Sequence, residues 1–466
     1  MKIKAFLTLI VSVILYIFAP SKYDYTYCVI LFVLFVFDTY FIILDDIRHK
    51  FYFSFNIIFS LSFFLTSFAY PVFLYHLDDI NLFGLKQVNE NVIVKSTALA
   101  QLSFSLYSFA YIMRYESKSK YKKQISPGIA IFRHKNVKNI LNILFIFSLL
   151  FFLYDYITLL NTAPGSVINI QSSSIFLITI FSLIIIVVYF FMHKNEKISI
   201  KKILKNNKLF FVGIFILFVF LFLIGDRGPM ITVGTILIAA YIYYVKRVSV
   251  KILLPLVLFV IVVLFLIGQT RGSDSYKKSL ISSITKQDRQ DNRWNYLSDL
   301  TSISRNLYNG YEYRMNNELL YPEKIIVIVS SPIPYMPTFL SNLFFDKSFR
   351  EISSSAILTN YGFNLIGIEG IGGLGTHCVS DIFMSWGIIG IFIFFYLFGY
   401  LIAFTQNRLS TSIYSALFYF SFLALATSIP RGSIFDGYNL FARVVIVFLI
   451  IVFLFSRKKE SFQYNF

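Results

Sequence analysis

Three arginine–glycine pairs stand at the ends of apolar stretches. Arg227 lies in Gly-Asp-Arg-Gly-Pro, Arg271 in Thr-Arg-Gly-Ser-Asp and Arg431 in Pro-Arg-Gly-Ser. A guanidinium group carries a planar fork of donors that binds phosphate oxygens in pairs, and a neighbouring glycine lets a ligand approach the backbone. Arginines at helix ends also extend to a membrane interface without binding a ligand. The three pairs are candidates for an anionic site, with interface anchoring as the alternative.

Arg443 is a fourth candidate because it lies inside the last apolar stretch of the chain. A charge within a membrane-spanning segment is costly, and such a residue is a functional candidate by default. The alternative for Arg443 is an internal ion pair with Asp436 or Asp38.

Possible proton acceptors cluster in the segment Gly-Thr-His-Cys-Val-Ser-Asp at residues 375–381. His377, Asp381 and the nearby Glu369 are each able to take a proton from an attacking hydroxyl. His377 and Asp381 are four residues apart, so they share one face if a helix already starts there. The alternatives are a histidine bonded to backbone at the interface and a carboxylate that stabilises a helix N-terminus.

The composition indicates which elements must position these residues. The chain has 466 residues, of which 57% are hydrophobic and 14% are charged, and its mean hydropathy is +0.70. A soluble domain carries roughly 25% charged residues. Apolar stretches of about 20 residues, the length that crosses a bilayer as a helix, recur along the chain. We predict an all-α polytopic integral membrane protein.

About twelve stretches have the length of a membrane-spanning helix. They are Ile3–Ala19, Tyr25–Leu44, Phe51–Tyr75, Val92–Met113, Ile140–Leu160, Ile175–Met192, Leu209–Gly225, Met230–Val245, Ile252–Gly268, Val379–Phe404, Ser412–Ile429 and Tyr438–Phe455. The break at 227–229 predicts a helical hairpin over Leu209–Val245. The chain divides into a bundle at 1–268, a large loop with an amphipathic helix at 269–378, and a bundle with a cytoplasmic tail at 379–466.

Lysine and arginine residues are concentrated in alternate short loops. The opposite short loops carry only Lys22, Lys86, Arg227 and Arg431. Because basic short loops stay in the cytoplasm, we expect both termini there, and the 269–378 loop on the periplasmic face. The turns that hold Arg227 and Arg431 then face outward as well. Topology accounts for the net charge of +18, so this charge does not indicate nucleic-acid binding.

The large loop contains its own structural signals. Apolar residues from Tyr296 to Tyr308 recur at helical spacing, with Asp291 or Asn292 as the N-cap. This pattern predicts an amphipathic helix that lies on the membrane or over the bundle. Three prolines are expected to break any regular element, and the residues after Arg350 are small and glycine-rich; the prolines are Pro332, Pro334 and Pro337.

Several classes of chemistry lack their sequence signature. The chain has no Walker loop, no cluster of histidine, cysteine and carboxylate residues at metal spacing, and no Asp-x-Asp pair. Cys28 and Cys378 give neither a disulfide framework nor a metal motif. We therefore expect no metal site and no cofactor. The donor should differ from a metal-chelated nucleotide sugar.

Two stretches resemble the O-antigen (oligosaccharide repeat-unit) polymerases, the Wzy-type membrane proteins. Residues 222–230 are similar to the Gly-x-Arg turn that those proteins carry between adjacent spans. Residues 373–390 are similar to their glycine-rich entry to the span after the large loop, where an acidic residue precedes an aromatic residue and Gly-x-x-Gly. The matching residues are Asp381, Phe383, Trp386, Gly387 and Gly390. The related O-antigen ligases carry a histidine near His377, but the asparagine that follows theirs is missing here.

The resemblance implies a bacterial inner-membrane glycosyltransferase that joins repeat units carried on undecaprenyl pyrophosphate at the periplasmic face. The pyrophosphate leaving group is already activated, so no cofactor is implied. Asp381 or His377 would activate the acceptor hydroxyl, and Arg271 would stabilise charge during transfer. The implied ligands of the pyrophosphate are Arg227, Arg271, Arg431 and Arg443.

The implied partners are the lipid-linked oligosaccharide, the lipid bilayer, a chain-length regulator and a flippase. Trp294, Tyr311 and Tyr335 are candidates for stacking on sugar rings, with interface anchoring as the alternative. Three rival functions remain: an O-antigen ligase with the same donor, a lipid-linked oligosaccharide flippase, and a structural scaffold. Flippases generally have short loops and internal repeats, whereas this chain has one large loop and no evident repeat.

Overall fold

The structure is a computed structural model that describes residues 1–75, 89–115, 135–162, 173–194, 200–224, 227–246, 248, 303–321, 323–366 and 375–463. Every regular element within these ranges is a helix. In the first half of the chain the helices are α1 (Lys2–Ile17), α2 (Tyr25–Arg48), α3 (Phe55–Ser67), α4 (Glu90–Tyr115), α5 (Lys135–Thr162), α6 (Ser173–Met192), α7 (Ile200–Asn206), α8 (Lys208–Ile224) and α9 (Arg227–Tyr244).

The described part of the second half is also helical. Its helices are α10 (Ser304–Asn316), α11 (Glu323–Ser330), α12 (Met336–Phe345), α13 (Phe349–Ile352), α14 (Ser354–Ile366), α15 (Cys378–Asn407), α16 (Ile413–Ala424) and α17 (Ile434–Gln463). A π-helical turn at Tyr70–Leu74 follows α3, and a 3₁₀ turn at Ile429–Arg431 precedes α17.

Eleven of the predicted spans fall on helices of the structure. The remaining one, Ile252–Gly268, lies outside the described residues. Among the described residues, five helices are both long and apolar enough to cross a membrane, and several shorter apolar helices accompany them. The predicted hairpin at Leu209–Val245 corresponds to the separate helices α8 and α9. The all-helical prediction is confirmed, and the number of spans stays a prediction.

The chain forms two compact units. Unit 1 comprises Met1–Tyr121, Arg293–Arg408 and Leu425–Ala442. Its central element is α4, which packs against α1, α2 and α15. A Cβ atom at Gly399 of α15 would overlap the backbone of Tyr107 in α4. Close approach of this kind, through a small residue, is a common way for membrane helices to associate.

Two carboxylates of α2 are fully buried within unit 1. Asp38 accepts hydrogen bonds from Thr8 at 2.7 Å, from Gln101 at 3.1 Å and from Ser105 at 2.5 Å. These donors are neutral, so the described partners of Asp38 do not include Arg443, the cation that the sequence offered as one alternative. A buried carboxylate is tolerated when its oxygens are hydrogen-bonded, which is the role that α1 and α4 fill here.

Asp46 is the second of these carboxylates. It accepts hydrogen bonds from Ser54 at 2.5 Å, Asn56 at 2.8 Å, Tyr111 at 2.6 Å and Gln406 at 2.9 Å. The donors lie on or beside α3, α4 and α15. Asp46 therefore ties four segments of unit 1 together at the end of α2.

Unit 2 comprises Lys122–Asn292, Leu409–Ala424 and Arg443–Phe466. Within it, α6 packs against α5, α9 and α16, and α5 also packs against α8. The Tyr244 hydroxyl donates to the carbonyl oxygen of Leu409 at 3.0 Å. Of the boundaries predicted from sequence, the division at 268 and 378 stays a prediction.

The large loop holds more regular structure than predicted. The predicted amphipathic helix is described only from residue 303, and α10 is buried against α4 and α15 over Ser304–Tyr311. Its position fits the bundle alternative more closely than the membrane-surface one. The expectation that all three prolines break regular structure is wrong for Pro337, which lies in the first turn of α12, where a missing N–H does no harm.

Gly387 interrupts α15. Its φ of 62° and ψ of −153° are non-helical, and this positive φ is a conformation that favours glycine. Leu319 packs near the position that a side chain at Gly387 would occupy, at 3.7 Å. The motif glycine at this position thus produces a kink, and the short N-terminal segment of α15 before the kink carries Asp381.

Candidate active site

Asp381 is the centre of a buried polar cluster in unit 1. Its carboxylate has no exposed surface. Oδ1 lies 2.5 Å from the Lys324 ammonium and accepts a hydrogen bond from the Ser354 hydroxyl, and Oδ2 accepts from the Ser433 hydroxyl at 2.5 Å. Lys324 also donates to Ser354 Oγ at 3.1 Å. We call these four residues the Asp381 cluster.

The N-terminal residues of four helices supply the cluster. Lys324 is the second residue of α11, Ser354 begins α14, Asp381 lies in the first turn of α15, and Ser433 immediately precedes α17. Helix N-termini carry unsatisfied N–H groups and partial positive charge, so they favour anions. The carboxylate of Asp381 therefore lies in an electropositive place even before the charge of Lys324 is counted.

His377 is the N-cap of α15 and is fully buried. Its Nδ1 accepts from the backbone N–H of Val379 at 3.2 Å, and its Nε2 lies 3.1 Å from the Ser67 hydroxyl. Because Nδ1 is an acceptor, the proton of the neutral ring is on Nε2. Burial lowers the pKa of His377 from 6.5 to about 3. The histidine is neutral and helps to hold α3 against α15.

The start of α10 covers the entry of α15. The Ser380 hydroxyl donates to the carbonyl oxygen of Asn306 at 3.0 Å, and the Ser304 hydroxyl donates to that of Thr66 at 2.8 Å. A Cβ atom at Gly310 would overlap Ser380. Arg305, in the same turn of α10, is buried, and burial lowers the pKa of its guanidinium.

Arg431 lies beside the same entry. A Cβ atom at Gly375, whose φ is +76°, would be 3.5 Å from the carbonyl oxygen of Arg431. Arg431 is half-buried. The turn that contains it leads through Gly432 to Ser433, so the sequence candidates His377, Asp381 and Arg431 occur at one place.

Asp436 is a carboxylate of this place that the sequence interpretation used only as a partner for Arg443. Its Oδ2 accepts from the backbone N–H of Ser433 at 3.0 Å, while the Ser433 hydroxyl accepts from the N–H of Phe435 at 3.2 Å. This reciprocal pattern is a capping box. Asp436 is exposed at the surface. We call the Asp381 cluster, residues 375–377 and residues 431–436 the Asp381 corner.

The other sequence candidates are not placed at this corner. Arg227 begins α9, but its side chain is outside the described residues, and Arg271 and Glu369 lie outside them entirely. Arg443 belongs to unit 2, where its guanidinium lies 4.3 Å from the ring centre of Phe176, a cation–π contact. Sequence reasoning missed Lys324, Ser354 and Ser433.

The aromatic candidates have different surroundings. Tyr311 is buried and stacks on Phe383 with ring centres 5.2 Å apart, so its ring packs inside the bundle. Tyr335 is 86% exposed, and Trp294 lies outside the described residues. Of the two candidates that the structure describes, Tyr335 is therefore the one whose ring is exposed to a ligand or to lipid.

The described residues form helices, five of them long and apolar enough to cross a membrane, with a buried charged cluster in unit 1. Residues 1–460 match the family model described as O-antigen polysaccharide polymerase Wzy, so the chain belongs to that family. It is a membrane glycosyltransferase that polymerises O-antigen, and its substrates are lipid-linked repeat units. This match confirms the resemblance to the Wzy-type family. The curated proteins and the solved structures compared with the chain give no match.

Proposed function

We propose that the Asp381 corner is where this polymerase holds the pyrophosphate of its lipid-linked substrate and joins the repeat units. The observation that carries the proposal is the convergence of four helix N-termini on Asp381, next to Arg431. Helix N-termini bind phosphate through their free N–H groups. The reaction needs such a place, because negative charge develops on the pyrophosphate as it leaves.

The cations of the corner have different roles in this proposal. The charge of Lys324 is balanced by Asp381 at 2.5 Å, so Lys324 orders the corner. Arg431, half-buried beside the entry of α15, is the proposed ligand of the pyrophosphate. Arg227, Arg271 and Arg443 remain proposed ligands of the same group or of the incoming second substrate. The undecaprenyl carrier belongs to the proposal as well.

The proton of the acceptor hydroxyl needs an accessible carboxylate. Both oxygens of Asp381 are occupied and covered, and His377 uses both ring nitrogens inside the bundle. Asp436 is exposed and is joined to Asp381 through Ser433. We therefore propose that Asp436 takes the proton, while Asp381 and His377, the residues expected from sequence, act as positioning residues.

The reaction then balances as follows. The acceptor hydroxyl oxygen bonds to the anomeric carbon of the growing chain. The bond between that carbon and its pyrophosphate oxygen breaks, and the electron pair stays with the pyrophosphate, next to Arg431. The hydroxyl proton passes to the Asp436 carboxylate.

Complementation of a strain that lacks this gene tests the role of Arg431. Arg431→Ala should abolish the O-antigen ladder on a surface-polysaccharide gel, leaving core with a single repeat unit. Arg408→Ala is the matched control, since Arg408 lies at the opposite end of α15, 3.9 Å from the Phe404 ring centre. A full ladder from Arg431→Ala, with equal amounts of both proteins in the membrane, would show that Arg431 is not needed to bind the pyrophosphate.

A second pair of variants separates chemistry from capping at Asp436. Asp436→Asn keeps an oxygen that accepts from the Ser433 N–H, so the capping box survives while the proton acceptor is lost. Asp436→Ala loses both. We expect Asp436→Asn to keep the thermal stability of the parent in detergent and to lose the ladder, a drop of about 100-fold or more in polymer. A normal ladder from Asp436→Asn would exclude it as the base.

A further inference from the structure

The longest uncharged stretch of the large loop covers residues 325–345. Residues 325–345 read Ile-Ile-Val-Ile-Val-Ser-Ser-Pro-Ile-Pro-Tyr-Met-Pro-Thr-Phe-Leu-Ser-Asn-Leu-Phe-Phe. Charged residues stand immediately on both sides, at Glu323 and Lys324 before it and at Asp346 and Lys347 after it. A water-exposed loop would carry charges throughout. This distribution is that of a segment that enters an apolar medium and leaves it again.

The segment folds back on itself as two helices, α11 and α12, which pack against each other. Lys347 donates to Glu323 at 2.8 Å, so an ion pair joins the two ends of the hairpin. The pair lies partly in solvent, with half of the Lys347 side chain exposed. Residues 323–347, which we call the loop hairpin, thus have a charged base and an uncharged body.

Several apolar side chains of the loop hairpin are exposed. Val329 is 67% exposed, Phe339 61% and Leu343 62%. Phe339 and Leu343 are four residues apart and form one stripe of α12. Thr338 and Asn342, also exposed, form a parallel polar stripe about 100° around the helix.

The loop hairpin is attached to α15 and α17 at points within these helices, past their N-terminal ends. The N–H of Leu320, just before it, donates to the carbonyl oxygen of Met384 at 3.1 Å, and the Ser331 hydroxyl in its turn donates to Asn439. Met384 is six residues into α15 and Asn439 five residues into α17. At 1.5 Å per residue, both contacts lie roughly 8 Å along these helices from their N-terminal ends. An interfacial helix rests about 5–10 Å into the boundary between headgroups and acyl chains.

We propose that the loop hairpin is inserted into the membrane leaflet beside the Asp381 corner, with lipid acyl chains covering Val329, Phe339 and Leu343. Lipid is favoured over a protein partner because the loop hairpin is attached to the predicted spans α15 and α17 roughly 8 Å from their N-terminal ends, and α15 itself exposes the apolar side chains of Ile389 and Ile393. The polar stripe of Thr338 and Asn342 faces the headgroups. The proposal does not depend on which residues perform the transfer.

Spin labels on the full-length protein in lipid nanodiscs test this. Single cysteines would be introduced as Phe339→Cys and Leu343→Cys, with Thr338→Cys and Asn342→Cys as matched controls on the same helix. The parent chain gives the labelling background, since Cys28 and Cys378 are buried. The measurement is collision with oxygen, which concentrates in lipid, relative to a water-soluble nickel chelate.

We expect the oxygen-to-nickel ratio to be at least about threefold higher at Phe339 and Leu343 than at the two controls, as for an interfacial helix. Equal ratios on both stripes, with ready access for nickel, would place the helix in water and overturn the proposal. Labels that neither reagent reaches would mean a second copy or another segment covers the face, which also overturns it. Because the readout is position and not polymer, its failure is distinct from a failure of the proposed site.

Discussion

The carboxylate of Asp381 shows why one acidic residue holds several segments in place. Burying a charge is costly, and a cationic partner together with hydrogen bonds lowers that cost. Lys324, Ser354 and Ser433 meet both needs, and each comes from a different helix terminus. Any change to one of them alters the electrostatics of the whole corner.

Lys324→Met tests this dependence. The change leaves the buried charge of Asp381 without its cation, which should cost about 3–5 kcal/mol of folding stability. The double variant Lys324→Met with Asp381→Asn removes both charges and should regain most of the stability. The measurement is thermal unfolding of the purified protein in detergent. Equal stability of the parent and Lys324→Met would show that the pair is not buried as described.

His377 gives a pH dependence with a definite sign. The unfolded chain binds a proton at this histidine below about pH 6.5, whereas the folded protein binds it only near pH 3. Between these values the unfolded state holds more protons, so the contribution to stability is lost as the pH falls. The stability of the parent should therefore decrease through this window.

The variant His377→Asn removes that titration and keeps an oxygen for the N-cap. Its melting temperature should depend less on pH over the same window than that of the parent. Ladder formation should survive, since the proposed role is positioning. A stable His377→Asn protein without a ladder would indicate that His377 takes part in the chemistry and does more than position α15.

At the scale of elements, the contact between α4 and α15 fixes the frame that carries the corner. Gly399→Ala would place a methyl group onto the backbone of Tyr107, which cannot move aside as a side chain would. The expected loss is about 1–3 kcal/mol, as for overpacking. Gly234→Ala in α9 is the control, because the nearest atom to its Cβ is 4.0 Å away. The measurement is thermal unfolding of both variants in detergent. A stability of Gly399→Ala equal to that of the parent would exclude a tight contact between α4 and α15 at this point.

The helices themselves were predictable, and their partners were not. Apolar runs such as Tyr25–Leu44 and Val379–Phe404 stand out because a bilayer requires length and low charge. Lys324 gives no such signal, since its burial depends on Asp381, 57 residues away. Ser433 is typical of a serine that caps a helix, so its residue type does not indicate the contact with Asp381. The structure of residues 323–366 was missed because prolines and short apolar runs are ambiguous between loop, cap and helix.

For the whole molecule, the positive-inside pattern remains a proposal that places both termini in the cytoplasm. It requires Lys347, in the large loop, and Lys201, in α7, to lie on opposite sides. With Lys347→Cys and Lys201→Cys, a membrane-impermeant maleimide added to spheroplasts should label only the first. Labelling of Lys201→Cys before the membrane is opened would show that the orientation is the opposite of the one proposed. The parent chain serves as the unlabelled control, since both of its cysteines are buried.

Family membership accounts for the polymerisation, and the Asp381 corner is the place that we propose for it. The match over residues 1–460 covers both units. Family resemblance pointed to Asp381 and His377, and the structure puts them with Arg431 at one corner of unit 1. The same corner adds Asp436 and Lys324, which residue spacing alone did not indicate.

The order in which the chain is made bears on the Asp381 cluster. Lys324 and Ser354 leave the ribosome before Asp381, but Ser433 follows it by 52 residues. At 5–20 residues per second this is an interval of roughly 3–10 seconds. In the second half of that interval α15 is complete and available for membrane insertion, while Oδ2 of Asp381 still lacks its donor. The cluster is completed only when Ser433 has been made, so a chain cut short before residue 433 is left with an unfinished site.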